Sequence, residues 1–174
     1  LDLSAVAKGY AVDRAAAALS GAGHEDFFLE IGGEIYCRGV NGEGGAWVIG
    51  VESPDLDPLA PRRVFASLSL SGYGVATSGD YRNRRQLDGE ESSHLFNPKS
   101  GETVSSELAS VTVIADDCAR ADAYATAAMV MGLEAGVSWL ESAPGVEAVF
   151  IARDSAGALK MHATSGCAKL GLMD

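Results

Sequence analysis

Residues 108–132 read LASVTVIADDCARADAYATAAMVMG and predict a strand that runs directly into a helix. The first part, residues 108–116, is rich in β-branched and small apolar residues over a length typical of a strand. The second part, residues 118–132, is dense in good helix formers and ends at Gly132, a residue type that commonly stops a helix. A long strand followed at once by a long helix indicates a fold of mixed class.

The rest of the chain mixes helices and strands without strict alternation. An alanine-rich stretch at 10–20 predicts the first helix, and GAG at 21–23 predicts its end. The other predicted elements are apolar runs at 27–39 and 46–54, an alternating stretch at 62–81, a short strand and turn at 92–104, a helix near 134–142, and the late strands VEAVFIAR and ALKMHAT. We therefore predict an α+β fold, with a mixed, mainly antiparallel sheet packed with helices, in a single domain at 1–174.

Composition excludes several classes of partner. The chain has 174 residues and a net charge of −11, so the phosphates of a nucleic acid would be repelled. A polyphosphate ligand would meet the same repulsion unless a metal ion or local basic residues neutralised it. No apolar run approaches the ~20 residues of a membrane-spanning helix.

The cysteines, Cys37, Cys118 and Cys167, are far apart and lack the spacing of metal ligands, so we predict a structural role for them.

Asp122 and Thr126 are the first candidates for chemistry. Residues four apart lie on one face of a helix, so a carboxylate and a hydroxyl here would present two hard oxygen atoms to one point. Such oxygen atoms suit Mg²⁺, which takes one or two carboxylates and completes its shell with water and phosphate. The alternative is a solvated aspartate near a helix start, with the threonine hydroxyl bonded to a backbone carbonyl.

Two further stretches have both a functional and a structural interpretation. In the opening turn, Asp2 and Lys8 flank LSAVA ahead of a helix, and a helix N-terminus with a lysine can bind phosphate. Alternatively, Asp2 or Ser4 caps the helix and Lys8 is solvated. In EIGGEI, Gly32 and Gly33 either let the backbone approach a ligand closely or form a simple turn or bulge.

The stretch at 76–102 combines a tight turn, three arginines and a histidine in an otherwise acidic chain. His94 precedes a Pro-Lys-Ser-Gly turn, where a histidine could act as a general base or contact a phosphate. A hydrogen-bonded structural histidine is the alternative. The arginines are Arg82, Arg84 and Arg85.

Taken together and in order, these stretches resemble the ApbE family of FAD:protein FMN transferases. The matching segments are DLSAVAKGYAVDRAA, LEIGGEI, WVIGVESP, ATSGDYRN, HLFNPKSGE and SVTVIADDCARADAYATAAMVMG. The resemblance implies an ApbE-like, T-fold-like architecture and covers the carboxyl-terminal part of that family. Members carry an amino-terminal half with a Met-Gly-Thr segment, so we expect this chain to be a piece of a longer protein and to be inactive alone.

The resemblance assigns an activity and a set of site residues. Family members use Mg²⁺ to cleave FAD, attach FMN to a threonine of a target flavoprotein and release AMP. It implies Asp122, Thr126 and the backbone carbonyls of Ala5 and Ala125 as metal ligands. It also implies that Asp2 and Lys8 contact FAD, that Gly32 and Gly33 lie near the flavin, and that His94 deprotonates the acceptor threonine.

The family also implies partners and a location. The acceptor would be a flavoprotein, such as a subunit of a membrane redox complex, and the enzyme would be a periplasmic, often lipid-anchored protein of the cell envelope. Two positions depart from the family turn, because Asn97 stands for Asp and Ser100 for Thr. A Mg²⁺-dependent FAD pyrophosphatase and a non-catalytic flavin-binding accessory domain are the alternative functions.

Overall fold

A six-stranded antiparallel sheet forms the centre of the fold. The computed structural model describes residues 2–54, 61–80, 85–87, 90–92, 96–104 and 107–173. In the order in which they pair, the strands of this sheet are β1 (Phe27–Ile31), β2 (Glu34–Arg38), β5 (Tyr73–Gly79), β8 (Leu108–Ala115), β9 (Val146–Arg153) and β10 (Leu159–Ala163). Every pairing between neighbours is antiparallel. The predicted α+β class with a mainly antiparallel sheet is confirmed.

The strand β8 lies in the middle of this sheet, and all eight of its residues are buried. Alternate side chains of a strand point to opposite faces, so β8 serves two separate cores. Val111 and Val113 pack on one face against the helices, whereas Ile114 packs on the other face. The apolar character of 108–115 along its whole length therefore reflects cover on both faces of the sheet.

Helices cover one face of the sheet. The helix α2 (Cys118–Met131) begins directly after β8, and α3 (Leu133–Glu141) follows it across Gly132. Small side chains of α2 pack on the sheet, together with Leu140 of α3 and Phe150 of β9. These elements agree with the predicted helices at 118–132 and 134–142.

A two-stranded sheet covers the other face. It consists of β3 (Trp47–Glu52) and β4 (Val64–Leu70), whose apolar side chains pack against Val149 and Ile151 of the main sheet. The stretch at 62–81 was predicted as one alternating region, but it forms two strands, β4 and β5. A turn at Ser71-Gly72 separates them and sends each strand to a different sheet.

The remaining elements are short. They are the strands β6 (Arg85–Leu87) and β7 (Glu90–Ser92), which pair with each other, and a 3₁₀ helix at Ser165–Leu170. The sequence predicted neither β6 nor the 3₁₀ helix. The short strand predicted at the start of 92–104 meets β7 at Ser92, and its residues 93–95 lie outside the described part of the chain. No helix in the described part of the chain is long and apolar enough to cross a membrane.

The first helix is longer than predicted. The helix α1 runs over Ser4–Gly21, so it begins well ahead of the predicted start at residue 10. Residues 4–9 were predicted to form a loop-like turn ahead of the helix, but they are helical and belong to the start of α1. Lys8 therefore projects from a helix. The reason is that Ser4 begins a run with alanine, valine and lysine, all compatible with a helix, before the first glycine.

Two glycines allow α1 and β5 to approach the start of α2 closely. A Cβ atom at Gly9 would lie 2.3 Å from the carbonyl oxygen of Cys118, and one at Gly74 would lie 2.4 Å from its backbone nitrogen. Real side chains do not tolerate such distances to backbone atoms. Glycine is therefore required at both positions by packing, and each brings a separate element against the same residue.

The three cysteines are buried and unpaired. Each thiol lies near a backbone carbonyl, with Sγ to oxygen distances of 4.0 Å for Cys37, 3.6 Å for Cys118 and 3.4 Å for Cys167. Burial raises the pKa of Cys37 to about 11 and that of Cys118 to about 12, and it also raises the pKa of Cys167. These thiols remain protonated at neutral pH, as expected for structural residues.

We predict that Gly74→Ala lowers the free energy of unfolding by about 1–3 kcal/mol, because the new methyl group overlaps the backbone of Cys118. Urea denaturation followed by circular dichroism measures this difference. Gly42→Ala is the matched control, since a Cβ atom there meets nothing within 4 Å. Equal stability of the two variants would contradict the packing argument.

We also predict that iodoacetamide at pH 8 leaves the native protein unmodified, because the reactive species is the thiolate and burial raises the pKa of each of the three thiols. Intact-mass spectrometry should show three additions only after denaturation, one for each of the three cysteines. Rapid modification of the native chain would show that at least one cysteine is accessible and ionised.

Candidate active site

An open cleft brings most of the predicted site residues together. Its volume is about 1610 Å³, and it lies between the start of α1, the β1–β2 turn, β5 and α2. The predicted residues that line it are Asp2, Ala5, Lys8, Gly32, Gly33, Asp122 and Thr126. Among the predicted residues that the structure describes, only Ala125 is absent from this lining, because its side chain is fully buried in the core. His94 lies outside the described residues.

The Asp122 side chain projects from α2 towards α1, at the interface between these two helices. Its side chain is 4% exposed, and its Oδ2 atom accepts a hydrogen bond of 3.0 Å from the backbone N–H of Gly9. In a regular α-helix that N–H would point at the carbonyl of Ala5. The Asp122 carboxylate and the Ala5 carbonyl therefore both lie beside the backbone N–H of Gly9. The interpretation of Asp122 as a solvated aspartate is excluded, because the side chain is buried and hydrogen-bonded.

The position of Asp122 depends on how α2 begins. Asp13 of α1 accepts hydrogen bonds from the backbone N–H groups of Cys118 at 2.7 Å and Ala119 at 2.8 Å. Asp117 accepts a third, from Arg120 at 2.7 Å. Two carboxylates thus satisfy backbone donors that a helix N-terminus leaves free, and one of them comes from the neighbouring helix.

Thr126 lies one helical turn after Asp122 and also faces the cleft. Its hydroxyl is 3.0 Å from that of Ser78 at the end of β5. Beside it, the hydroxyls of Thr77 and Thr112 are 2.9 Å apart and join β5 to β8. The wall of the cleft below Asp122 is therefore built of hydroxyl groups.

Glu34 is a site residue that the sequence interpretation missed. It is 2% exposed, it lines the cleft, and its Oε1 atom accepts a hydrogen bond from the ammonium group of Lys8. Its other oxygen, Oε2, has no hydrogen-bond partner in the described part of the chain. Burial raises the pKa of Glu34, Lys8 opposes this shift, and the charge of Asp122 adds to it.

The glycine pair forms the tight turn that places Glu34. Gly32 and Gly33 join β1 to β2 with φ angles of 64° and 99°, and Ile31 pairs directly with Glu34. Positive φ at both central residues is typical of a two-residue hairpin turn. The structural interpretation of this pair is thus correct, and both glycines also line the cleft.

The start of α1 agrees with one part of the structural interpretation of the opening segment and disagrees with the other. Asp2 accepts a hydrogen bond of 2.8 Å from the backbone N–H of Ser4, so it does act near the helix start. Hydrogen bonds from Ser4 lower the pKa of Asp2. Lys8, however, is not simply solvated, because it pairs with the buried Glu34.

The turn after the predicted histidine keeps its geometry with asparagine. The Oδ1 atom of Asn97 accepts a hydrogen bond of 2.9 Å from the N–H of Lys99, and the Asn97 carbonyl accepts one of 2.8 Å from Gly101. Aspartate would make the same side-chain bond, so the departure at this position does not alter the turn. Phe96 to Lys99 form one side of the cleft.

Comparison with known proteins identifies the family. The family model described as ApbE family matches residues 1–150. The chain belongs to the ApbE family. It is 40% identical over 142 residues to a FAD:protein FMN transferase of Vibrio cholerae serotype O1. The matched region covers 82% of this chain and 42% of that protein. With the protein of the same name from Escherichia coli K12 it is 40% identical over 134 residues, covering 77% of the chain and 37% of that protein.

Solved ApbE structures share the fold. The flavin transferase ApbE from Vibrio cholerae has a TM-score of 0.81 at 34% identity, covering 98% of this chain and 52% of that one. The apo flavinyl transferase ApbE from Pseudomonas stutzeri has a TM-score of 0.80 at 36% identity, covering 98% and 51%. The predicted ApbE-like architecture is confirmed. The chain spans about half the length of these solved proteins and less than half of the two curated relatives.

We predict that Asp13→Ala destabilises the protein by about 1–3 kcal/mol, because it leaves two backbone N–H groups at the start of α2 without an acceptor. Thermal and urea unfolding measure the effect. Asp116→Ala, at an exposed position just before α2, is the control and should change stability by less than about 0.5 kcal/mol. A similar loss in both variants would show that the cap from α1 contributes nothing specific.

Proposed function

We propose that the protein to which these residues belong transfers FMN from FAD to a threonine of an acceptor flavoprotein, releasing AMP, in a Mg²⁺-dependent reaction. The observation that carries this proposal is the convergence of Asp122, Thr126 and the start of α1 on one cleft beside Lys8. Curated relatives that match most of the chain are named FAD:protein FMN transferases, which supports the same activity.

The donor atoms in the cleft fit a magnesium ion. Asp122 and Thr126 are the side chains that would hold it, with the backbone carbonyls of Ala5 and Ala125 as further proposed ligands. The described residues contain no group of three histidine, cysteine or acidic side chains suited to a metal, so water and phosphate oxygens would complete the shell. When bound, the ion neutralises the diphosphate and stabilises charge that develops at the reacting phosphorus.

The chain itself supplies positioning and proton transfer. Lys8, and Asp2 at the start of α1, are the proposed contacts to FAD, and the Gly32-Gly33 turn lets its backbone lie near the flavin. His94 is the proposed base that takes the proton from the acceptor threonine. The threonine oxygen then forms a bond to the phosphorus of the FMN part, the bond from that phosphorus to the bridging oxygen breaks, and AMP leaves.

A subunit of a membrane redox complex is the proposed acceptor, and the cell envelope, with a lipid anchor, is the proposed location. Both extend the family resemblance to this protein. The same site with water in place of threonine would give FAD pyrophosphatase activity, so the products distinguish the two reactions.

The experiment is intact-mass spectrometry of an acceptor domain incubated with the chain, FAD and Mg²⁺, with EDTA in a parallel sample. The Vibrio cholerae relative serves as a positive control that the acceptor is competent. An FMN-sized mass gain that EDTA prevents supports the proposal. A labelled acceptor with the relative but none with this chain counts against activity of these residues alone, and free FMN plus AMP would indicate the pyrophosphatase.

We predict that Asp122→Asn lowers the rate of labelling by about 100-fold or more, because charge stabilisation at the metal is lost. Asparagine keeps an oxygen that accepts the Gly9 N–H, so circular dichroism should show an intact fold. The matched control is Asp116→Asn, an exposed carboxylate just before the same helix, which should label at the normal rate. Normal labelling by Asp122→Asn would remove Asp122 from the proposed metal site.

A further inference from the structure

The ion pair between Glu34 and Lys8 is unusual in its exposure. The Glu34 side chain is 2% exposed, whereas that of Lys8 is 50% exposed. The ammonium group gives one of its three donors to Glu34 and keeps an open side towards the cleft. A buried carboxylate thus holds a cation at the surface of the cleft.

The surrounding backbone leaves room for this arrangement. A Cβ atom at Gly32 would lie 3.4 Å from Cδ of Lys8 and 3.7 Å from Oε2 of Glu34. The hairpin turn therefore packs against the stem of the lysine while it places the glutamate at the first position of β2. Two residues of this hairpin, Gly32 and Glu34, therefore fix the position of the Lys8 ammonium group.

The ion pair of Lys8 with Glu34 also neutralises one positive charge in the cleft. Among the described residues, the basic side chains that line it are Lys8, Arg62 and Lys99. Lys8 is paired with Glu34, and Nε of Arg62 lies 3.7 Å from a carboxylate oxygen of Glu52. A diphosphate that enters the cleft must therefore compete with carboxylates for two of these three cations, and Asp122 and Glu30 add further negative charge.

We propose that Glu34 is a positioning residue that holds Lys8 in place and cancels its charge, so that the cleft takes up a diphosphate only together with a divalent cation. This inference rests on the proposed function, because it assumes that the cleft receives the diphosphate of FAD. Its specific content is that Glu34 sets the dependence of anion binding on the metal. Without this carboxylate, Lys8 would bind phosphate by itself.

A purely structural role for Glu34 predicts a different result. Loss of a structural contact would weaken ligand binding equally with and without metal. Loss of a charge that cancels Lys8 would strengthen binding in the absence of metal and reduce the advantage that metal gives. The ratio of the affinity measured with metal to that measured without metal therefore distinguishes a structural role of Glu34 from a charge-cancelling role.

The experiment is calorimetric titration of the whole chain with ADP, in the presence of Mg²⁺ and separately in EDTA. We expect Glu34→Gln to bind ADP in EDTA about fivefold or more tightly than the unchanged protein, since the amide leaves the charge of Lys8 uncancelled. The ratio of the affinities with and without Mg²⁺ should fall by a similar factor. In the double variant Glu34→Gln with Lys8→Met, the gain in EDTA should disappear.

Glu30→Gln is the matched control. Glu30 lines the same cleft and lies in the same hairpin, but it is exposed and makes no ion pair with Lys8. Its removal takes one negative charge from the cleft without releasing the lysine, and screening by solvent should limit its effect to less than about twofold. An equal gain in Glu30→Gln, or a gain that persists without Lys8, would overturn the proposal.

Glu34→Asp provides a second test that keeps the charge. The shorter side chain should retain the metal dependence of the unchanged protein but hold Lys8 less well, so binding of ADP with Mg²⁺ should weaken several-fold. Unaltered binding by Glu34→Asp under both conditions contradicts the positioning role. Failure of the unchanged protein to bind ADP even with Mg²⁺ contradicts the proposed function as well, whereas normal binding with an unchanged ratio in Glu34→Gln overturns this inference alone.

Discussion

The reciprocal contact between α1 and α2 is the constraint on which the candidate site depends. Asp13 of α1 accepts hydrogen bonds from the first N–H groups of α2, and Asp122 of α2 accepts one from Gly9 of α1. Each helix thus gives a carboxylate to the backbone of the other. Gly9 makes this possible, because a side chain there would overlap the backbone of Cys118. The crossing fixes the start of α1, and with it Asp2, Ala5 and Lys8, relative to Asp122.

Local patterns predicted most of the fold, because most elements are encoded by their own residues. The strand and helix at 108–132 and the late strands are confirmed within a few residues of the predicted ends. The prediction for 62–81 as one alternating region was wrong for a physical reason. Alternation shows that a strand has two different faces, but it does not show where the strand ends or which partner strand it uses. Burial alternates along β4 but not along β5, and the two strands join different sheets.

The site was predicted less completely than the fold. Asp122 and Thr126 were found because their spacing has a meaning within one helix, whereas Ala5 and Ala125 came from the family resemblance. Glu34 was missed because its significance is tertiary. In the sequence it is one of two glutamates around a glycine pair, and only the tight turn and the position of Lys8 distinguish the buried Glu34 from the exposed Glu30. The role of each predicted residue in the reaction stays a prediction.

The charge of the cleft explains how a strongly acidic protein could hold a diphosphate. Of the three basic side chains among the described residues that line it, Lys8 and Arg62 already face carboxylates. An unpaired lysine at the position of Lys8 would attract any phosphate, including free nucleotides that carry no flavin. In the proposed function, cancelling the charge of Lys8 would make binding depend on a cation held at Asp122, and that cation would favour ligands that present suitable oxygen atoms there. Selectivity would then come from the geometry of the metal and the diphosphate, with Lys8 adding a donor whose position Glu34 has already fixed.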